Sequence, residues 1–198
     1  MVDRLEKRLV ALLRERNEDA FEEFVRRYSG NVFNIAMRML GNRAEAEDLS
    51  QDIFITVFKR IETFRGDSSL STWLYRVTVN HCKNRIKYLS RRHDLMKREY
   101  DDATECGRGD GRAVAGAVHR PDEIVEAMQT EGLIQKALES IDEDHRTILI
   151  LREIECMSYT QIGEIMLLEE GTVKSKLHRA RSAFMKRMEE LEREGGKV

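Results

Sequence analysis

Proline is almost missing from this chain: Pro121 is the single one in 198 residues. Proline breaks helix interiors, so long helices are permitted nearly everywhere, and abundant Glu, Lys, Arg, Leu and Met favour them. Cysteine is scarce too. Cys82, Cys106 and Cys156 are odd in number, far apart and form no CxxC pair. That argues against a disulfide framework and against zinc, which needs ligands at regular spacing. His81 beside Cys82 does not alter this, since adjacent helix positions point in different directions. No apolar run approaches the roughly 20 residues that span a bilayer. The start, MVDRLEKRLVALLRERNEDA, lacks the apolar core and cleavage site of a signal peptide, so a cytoplasmic chain without membrane insertion is expected. Catalytic signatures are missing as well. There is no nucleophile elbow, phosphate-cradling glycine loop or metal-ligand cluster, and no catalytic residue, metal or cofactor is expected.

What is present is charge, and it is segregated. Hydrophobic residues make up 41% and charged residues 35%, which places the chain among folded rather than disordered proteins. The formal net charge of −2 conceals two basic stretches. The first holds Arg76, Lys83, Arg85, Lys87, Arg91, Arg92, Lys97 and Arg98, opposed by Asp94 alone. The second, Gly171 to Arg187, holds Lys174, Lys176, Arg179, Arg181, Lys186 and Arg187 with no acid between them. Acids gather at Glu45, Glu47, Asp48 and Asp52, and again from Glu189 to Glu194. Two basic stretches in a near-neutral chain fit a polyanion touched at two places, and an acidic patch fits a basic protein partner. Solvated helix faces would give the same composition, so motifs must decide.

Periodicity points to an all-α fold. Phe21, Phe24, Val25, Tyr28, Val32, Ile35, Ala36 and Met39 recur at three- and four-residue steps, with Asn17 or Asp19 as a cap and Gly41-Asn42 as a stop. A second helix carries Leu49, Ile53, Phe54, Val57, Phe58 and Ile61. After the loop Phe64 to Ser69, Ser71 or Thr72 is expected to cap a third, through Trp73, Leu74, Val77, Cys82 and Ile86. Trp73 reads as a core residue at that spacing. From about Arg92 to Gln129 the pattern fails, and four glycines and Pro121 crowd into one short stretch. Two small helical domains are therefore expected, at residues 1–92 and 128–198, joined by a flexible linker at 93–127.

Helical periodicity resumes at Leu133, breaks at Asp142 to Asp144, and rebuilds through Ile148 to Ile154. Ser158 with Gln161 makes a capping-box pattern before a short helix. Leu167 to Glu170 then separates it from a basic helix, Thr172 to Leu191, whose buried stripe is Val173, Leu177, Ala180, Phe184 and Met188. A short helix, a tight turn and a basic helix describe a helix-turn-helix. Uncharged Gly171-Thr172-Val173 leaves the second helix's backbone amides open to phosphates. Lys174, Ser175, His178, Arg179 and Arg181 lie off the apolar stripe, free to reach a groove.

The segment SYTQIGEIM…EGTVKSKLHRARSAF resembles the part of bacterial sigma factors that binds the −35 promoter element, and it departs from that pattern at Leu167-Leu168-Glu169-Glu170. Alone, this helix-turn-helix would also suit a response-regulator output domain. The segment AEAEDLSQDIFITVFKRIETFRGDSSLSTWLYRVTVNHCKNRIK, Ala44 to Lys87, closely resembles the promoter-melting domain of extracytoplasmic-function (ECF) sigma factors. The resemblance covers both expected domains.

The resemblance implies a function for each cluster. Asp48, Gln51 and Asp52 would dock on the clamp coiled coil of the β′ subunit of core RNA polymerase; Asp48 and Asp52 share a helix face at i, i+4. Phe64, Arg65, Gly66, Asp67, Ser68 and Ser69 would form a pocket for a base flipped from the −10 element. Arg76, Asn80, Lys83 and Asn84 on the next helix would add contacts. Thr172, Lys174, Ser175, Lys176, His178, Arg179 and Arg181 would contact −35 DNA. The second domain would dock on the β flap, the linker would thread the polymerase cleft, and an anti-sigma factor would be a further partner. Expected, then, is a non-enzymatic sigma factor that recruits core polymerase and melts promoter DNA. The competing readings are a stand-alone helix-turn-helix regulator, binding duplex DNA as a dimer, and a pure protein-interaction module.

Overall fold

In the computed structural model, residues 4–100 and 121–195 are described, and every regular element among them is helical. The all-α expectation holds, in two helical regions. Helix α1 (Arg4–Arg14) was not expected, because charged residues interrupt its short apolar stripe, yet Val10 and Leu13 are buried. Helix α2 (Glu18–Leu40) starts where Asn17 Oδ1 accepts the Ala20 N–H at 2.9 Å. It stops at Gly41, in the left-handed conformation with φ of 70°. Asn42 at once caps α3 (Arg43–Arg60), accepting the Glu45 N–H at 3.0 Å. A 3-10 turn (Ile61–Thr63) leads to the loop before α4 (Leu70–Tyr100). The cap of α4 is Ser69, not Ser71 or Thr72: its Oγ accepts the Thr72 N–H at 3.1 Å. The helix begins earlier than its polar residues suggest because Leu70 is buried in the core and anchors the first turn.

Phe24, Ile35, Met39, Ile53, Ile61, Leu70 and Leu74 are fully buried where α2, α3 and α4 meet. Each such side chain contributes about 1.5–3 kcal/mol by leaving water. Aromatic edges lock the helices together: Phe24 meets Phe54 at 6.0 Å and Phe21 meets Phe58 at 4.9 Å between ring centroids.

The second region comprises α5 (Pro121–Ser140), α6 (Glu143–Leu149), a π-helical turn (Ile150–Ile154), α7 (Tyr159–Met166) and α8 (Glu170–Gly195). The break at Asp142 is a helix start, since its carboxylate accepts the Asp144 N–H at 2.9 Å. Ile148, Ile150, Leu151, Ile162 and Leu177 form its core. Helix occupies both ends of the 93–127 stretch assigned to the linker. Residues 93–100 hold no glycine or proline, and Pro121 opens α5 at the position where a missing N–H costs nothing. The glycines and Cys106 lie outside the described residues.

The two regions pack together. Arg146 Nη1 donates to Met39 O at 2.7 Å and Gln135 Nε2 to Arg38 O at 3.3 Å, so side chains of the second region satisfy carbonyls at the end of α2. Arg38 pairs with Glu131 at 2.5 Å, and Asn31 donates to Glu155 at 2.6 Å. Burial raises the Glu155 carboxyl, against the lowering effect of Asn31.

Candidate nucleic-acid interface

The helix-turn-helix is built from local bonds. Ser158 Oγ accepts the Gln161 N–H at 3.2 Å while Gln161 Oε1 accepts the Ser158 N–H at 2.9 Å, the reciprocal capping box the spacing implied. Helix α7 ends at Leu167, left-handed at φ 56°, and the turn folds back so that Leu168 N–H reaches Gly163 O at 2.9 Å. A Cβ on Gly163 would sit 2.7 Å from Leu168 O, so only glycine permits this close approach. Val173, Leu177 and Ala180 then face inward, with Phe184 and Met188 half-buried behind them. That orientation leaves Thr172, Lys174, Ser175, His178, Arg179 and Arg181 exposed and Lys176 half-buried.

Two expectations change. The helix starts at Glu170, not Thr172, so its first turn carries a carboxylate instead of bare amides. The negative side chain suits the positive helix end, which is why the helix extends that far. The cations also divide. Lys174 has no ion pair among the described residues, and Arg179 Nε donates to Ser175 O at 3.3 Å. Lys176 is bound to Asp144 at 2.5 Å and Arg181 to Glu153 at 2.6 Å.

In the first region, Asp48, Gln51 and Asp52 are all exposed on α3, and neither acid forms an ion pair among the described residues. Ile55 continues the same face, 50% exposed. An acidic face with an apolar end is open to a partner.

The loop before α4 is less available than expected. Phe64 is 3% exposed, its ring 5.5 Å from Trp73, and its carbonyl accepts from Arg14 Nη2 at 2.6 Å. Its side chain is buried beside Trp73 and holds the loop down. Ser69 is engaged as the helix cap, and its hydroxyl also meets those of Ser71 and Thr72. Ser68 is half-buried, whereas Arg65, Gly66 and Asp67 are exposed.

Beside this loop lies a cleft of 310 Å³ between α3 and α4, lined by Arg60, Trp73, Arg76, Asn80, His81 and Asn84 among others. It gathers three of the expected −10 residues, with Asn80 and Asn84 exposed. Trp73 is half-buried and borders both core and cleft, so the core reading describes one of its two sides. Arg60 and His81 were not anticipated. The signal for His81 was its place four residues after Val77 on the face of α4 that carries Trp73; Arg60 arrives from α3, which sequence spacing does not reveal. Burial lowers the His81 imidazole below its usual range, outweighing the opposite pull of Asp52, so it is neutral near pH 7. A neutral imidazole can donate and accept at once, as base edges require.

Two cations of this surface are already held by the second region. Arg76 Nη2 donates to Glu164 O at 2.6 Å, and Lys83 Nζ meets Asp144 Oδ1 at 2.6 Å. Cys82 is buried and its thiol pushed up to about 12 by that burial, whereas Cys156 is exposed. Among the described residues no helix is long and apolar enough to cross a membrane.

Comparison with known proteins follows the same division. Residues 24–92 match the family model for Sigma-70 region 2, and residues 131–184 match that for Sigma-70, region 4. The ECF RNA polymerase sigma factor SigW of Bacillus subtilis is 31% identical over 185 residues, covering 93% of this chain and 97% of that protein. Two solved structures share the fold. CnrH, in complex with the cytosolic domain of CnrY, has a TM-score of 0.64 at 19% identity, covering 93% of this chain and 97% of that one. The sigma factor RpoE of Bartonella quintana, in complex with the anti-sigma factor NepR, has a TM-score of 0.59 at 21% identity, covering 85% and 96%. A basic helix-turn-helix at one end, a polar cleft at the other, and a relative aligned across both leave one conclusion: the chain belongs to the ECF sigma factors, which direct RNA polymerase to promoters and are not enzymes.

Proposed function

We propose that the chain divides the sigma task between residues 1–92 and 128–198. Asp48, Gln51 and Asp52 engage core polymerase at the β′ clamp, with Ile55 adding an apolar contact. Arg65, Gly66 and Asp67, with Arg76, Asn80, Lys83 and Asn84 around the cleft, capture −10 DNA. Captured single-stranded bases pull the duplex equilibrium toward open promoter. Helix α8 reads −35 DNA through Lys174, Ser175, His178 and Arg179, with Thr172, Lys176 and Arg181 beside them, while its region docks on the β flap. The observation that carries this division is the placement of unpaired charge: Asp48 and Asp52 on α3, Lys174 on α8, each exposed and without an ion pair among the described residues. Acting on the polymerase places the chain in the cytoplasm. An anti-sigma factor spanning both regions is a further partner, by likeness to RpoE held with NepR.

Reconstituted transcription tests the assignment. Purified core polymerase with this chain is expected to start at defined sites in a genomic promoter library. Asp48→Ala with Asp52→Ala should lose core binding, and Lys174→Ala with Arg179→Ala should lose −35 dependence while keeping core binding. The same defect from both pairs would overturn the division.

A further inference from the structure

Lys83 on α4 and Lys176 on α8 belong to different regions, yet both end on one carboxylate. Lys83 Nζ lies 2.6 Å from Asp144 Oδ1, and Lys176 Nζ lies 2.5 Å from Asp144 Oδ2. Glu143 adds a second acid 3.7 Å from Lys83. The lysine side chains are 22% and 24% exposed, so water and salt screen these pairs less than free surface pairs. Arg76 is held from the same side by Glu164 O.

Two ammonium groups on one carboxylate stand within about 7 Å of each other at normal hydrogen-bond lengths. The −10 and −35 elements are about 25 base pairs apart, roughly 85 Å along B-form DNA at 3.4 Å per pair. Lys83 and Lys176 therefore cannot serve both elements while Asp144 holds them. We propose that Asp144 is a latch: it keeps the free chain closed by gathering one DNA-binding cation from each region, and promoter binding requires its release. This rests on the assignment of Lys83 to −10 and Lys176 to −35 DNA. The acidic face of α3 stays exposed in the closed form, so polymerase can bind before the latch opens. The 20 residues between α4 and α5, 101–120, would reach at most about 70 Å at full extension, enough to let the regions separate. On opening, each lysine exchanges a carboxylate for phosphate, a partner of the same sign and similar hydrogen-bond chemistry.

The test uses the full chain without polymerase. Small-angle scattering and anisotropy with a labelled −35 duplex are measured for wild type, Asp144→Asn and Asp144→Lys, with circular dichroism confirming helix content. Asp144→Asn should shift the open-to-closed ratio about fivefold, as expected for losing a partly exposed ion pair. Asp144→Lys should shift it further, by repulsion. Both variants should show a larger radius of gyration and tighter DNA binding, and added salt should expand the wild type toward them. Unchanged radii in both variants overturn the latch and leave the DNA assignment standing. Larger radii without tighter DNA binding overturn the masking role and locate the failure in the assignment of the lysines.

Discussion

Removing Lys174 and Arg179 together should flatten the salt dependence of promoter binding by a calculable amount. Both lie exposed on α8. Among the described residues neither Lys174 nor Arg179 forms an ion pair, and Arg179 Nε donates to the Ser175 carbonyl at 3.3 Å. Neither has to leave a carboxylate before meeting phosphate. Each neutralised phosphate contributes a slope of about −0.9 to log K against log salt, so Lys174→Ala with Arg179→Ala should flatten the plot by about 1.8. Over a fourfold range, about 50 to 200 mM, the deficit relative to wild type should shrink roughly twelvefold. The assay is anisotropy of the reconstituted holoenzyme on labelled promoter DNA across that range, repeated with a scrambled −35 element. Parallel plots, displaced but of equal slope, would refute the phosphate role of these two residues. Arg181→Ala should flatten the plot less than Arg179→Ala, because Glu153 already neutralises Arg181 at 2.6 Å.

Gly41→Ala should lower stability by about 1–2 kcal/mol, the cost of a left-handed residue with a Cβ, since Gly41 has φ 70°. The added carbon would also displace the Glu139 carboxylate, now 1.8 Å from its position. Urea denaturation reads the loss, Gly41→Asn should lose less, and an unchanged midpoint for Gly41→Ala would contradict the left-handed cap. Cys156 should react with a thiol reagent in the native chain at pH 8, whereas Cys82, buried and pushed up to about 12, should react only on unfolding. Peptide mapping by mass spectrometry separates the two, and native labelling of Cys82 would count against its burial. Hydrogen bonds from Lys176, then Lys83, lower the Asp144 carboxyl from 3.8 to about 2. Its contribution is thus present above pH 3.8 and lost as pH falls through about 2. After discounting for its exposure that is about 1 kcal/mol, so wild type and Asp144→Asn should differ by this much at pH 7 and converge near pH 2. A difference independent of pH would exclude the ion pairs as its source.

Much of the fold is written in short-range pattern. Three- and four-residue periodicity marks α2, α3, α4 and α8, and Asn17, Gly41 and the Ser158–Gln161 box mark ends, because a cap bonds within three or four residues of itself. The exposed acids of α3, the paired asparagines of α4 and the cation face of α8 follow from the same helical geometry. Local pattern misleads where a distant neighbour outweighs it. Leu70 draws the start of α4 back to Ser69 because it is buried against the core. Phe64, in a loop of polar residues, looks free until Trp73 and Arg14 arrive from elsewhere in the chain to hold it.

The sequence by itself determined that this is a helical DNA-binding chain of the sigma family, since helix period, capping and residue type are local properties. Tertiary structure decided which of its charges are free. Lys174 and Lys176 are two positions apart and chemically identical, but only Lys176 faces Asp144 on α6. Lys83 meets the same acid from 61 positions away. Ion pairing depends on distance in space, and no spacing along the chain encodes which cation a carboxylate will find.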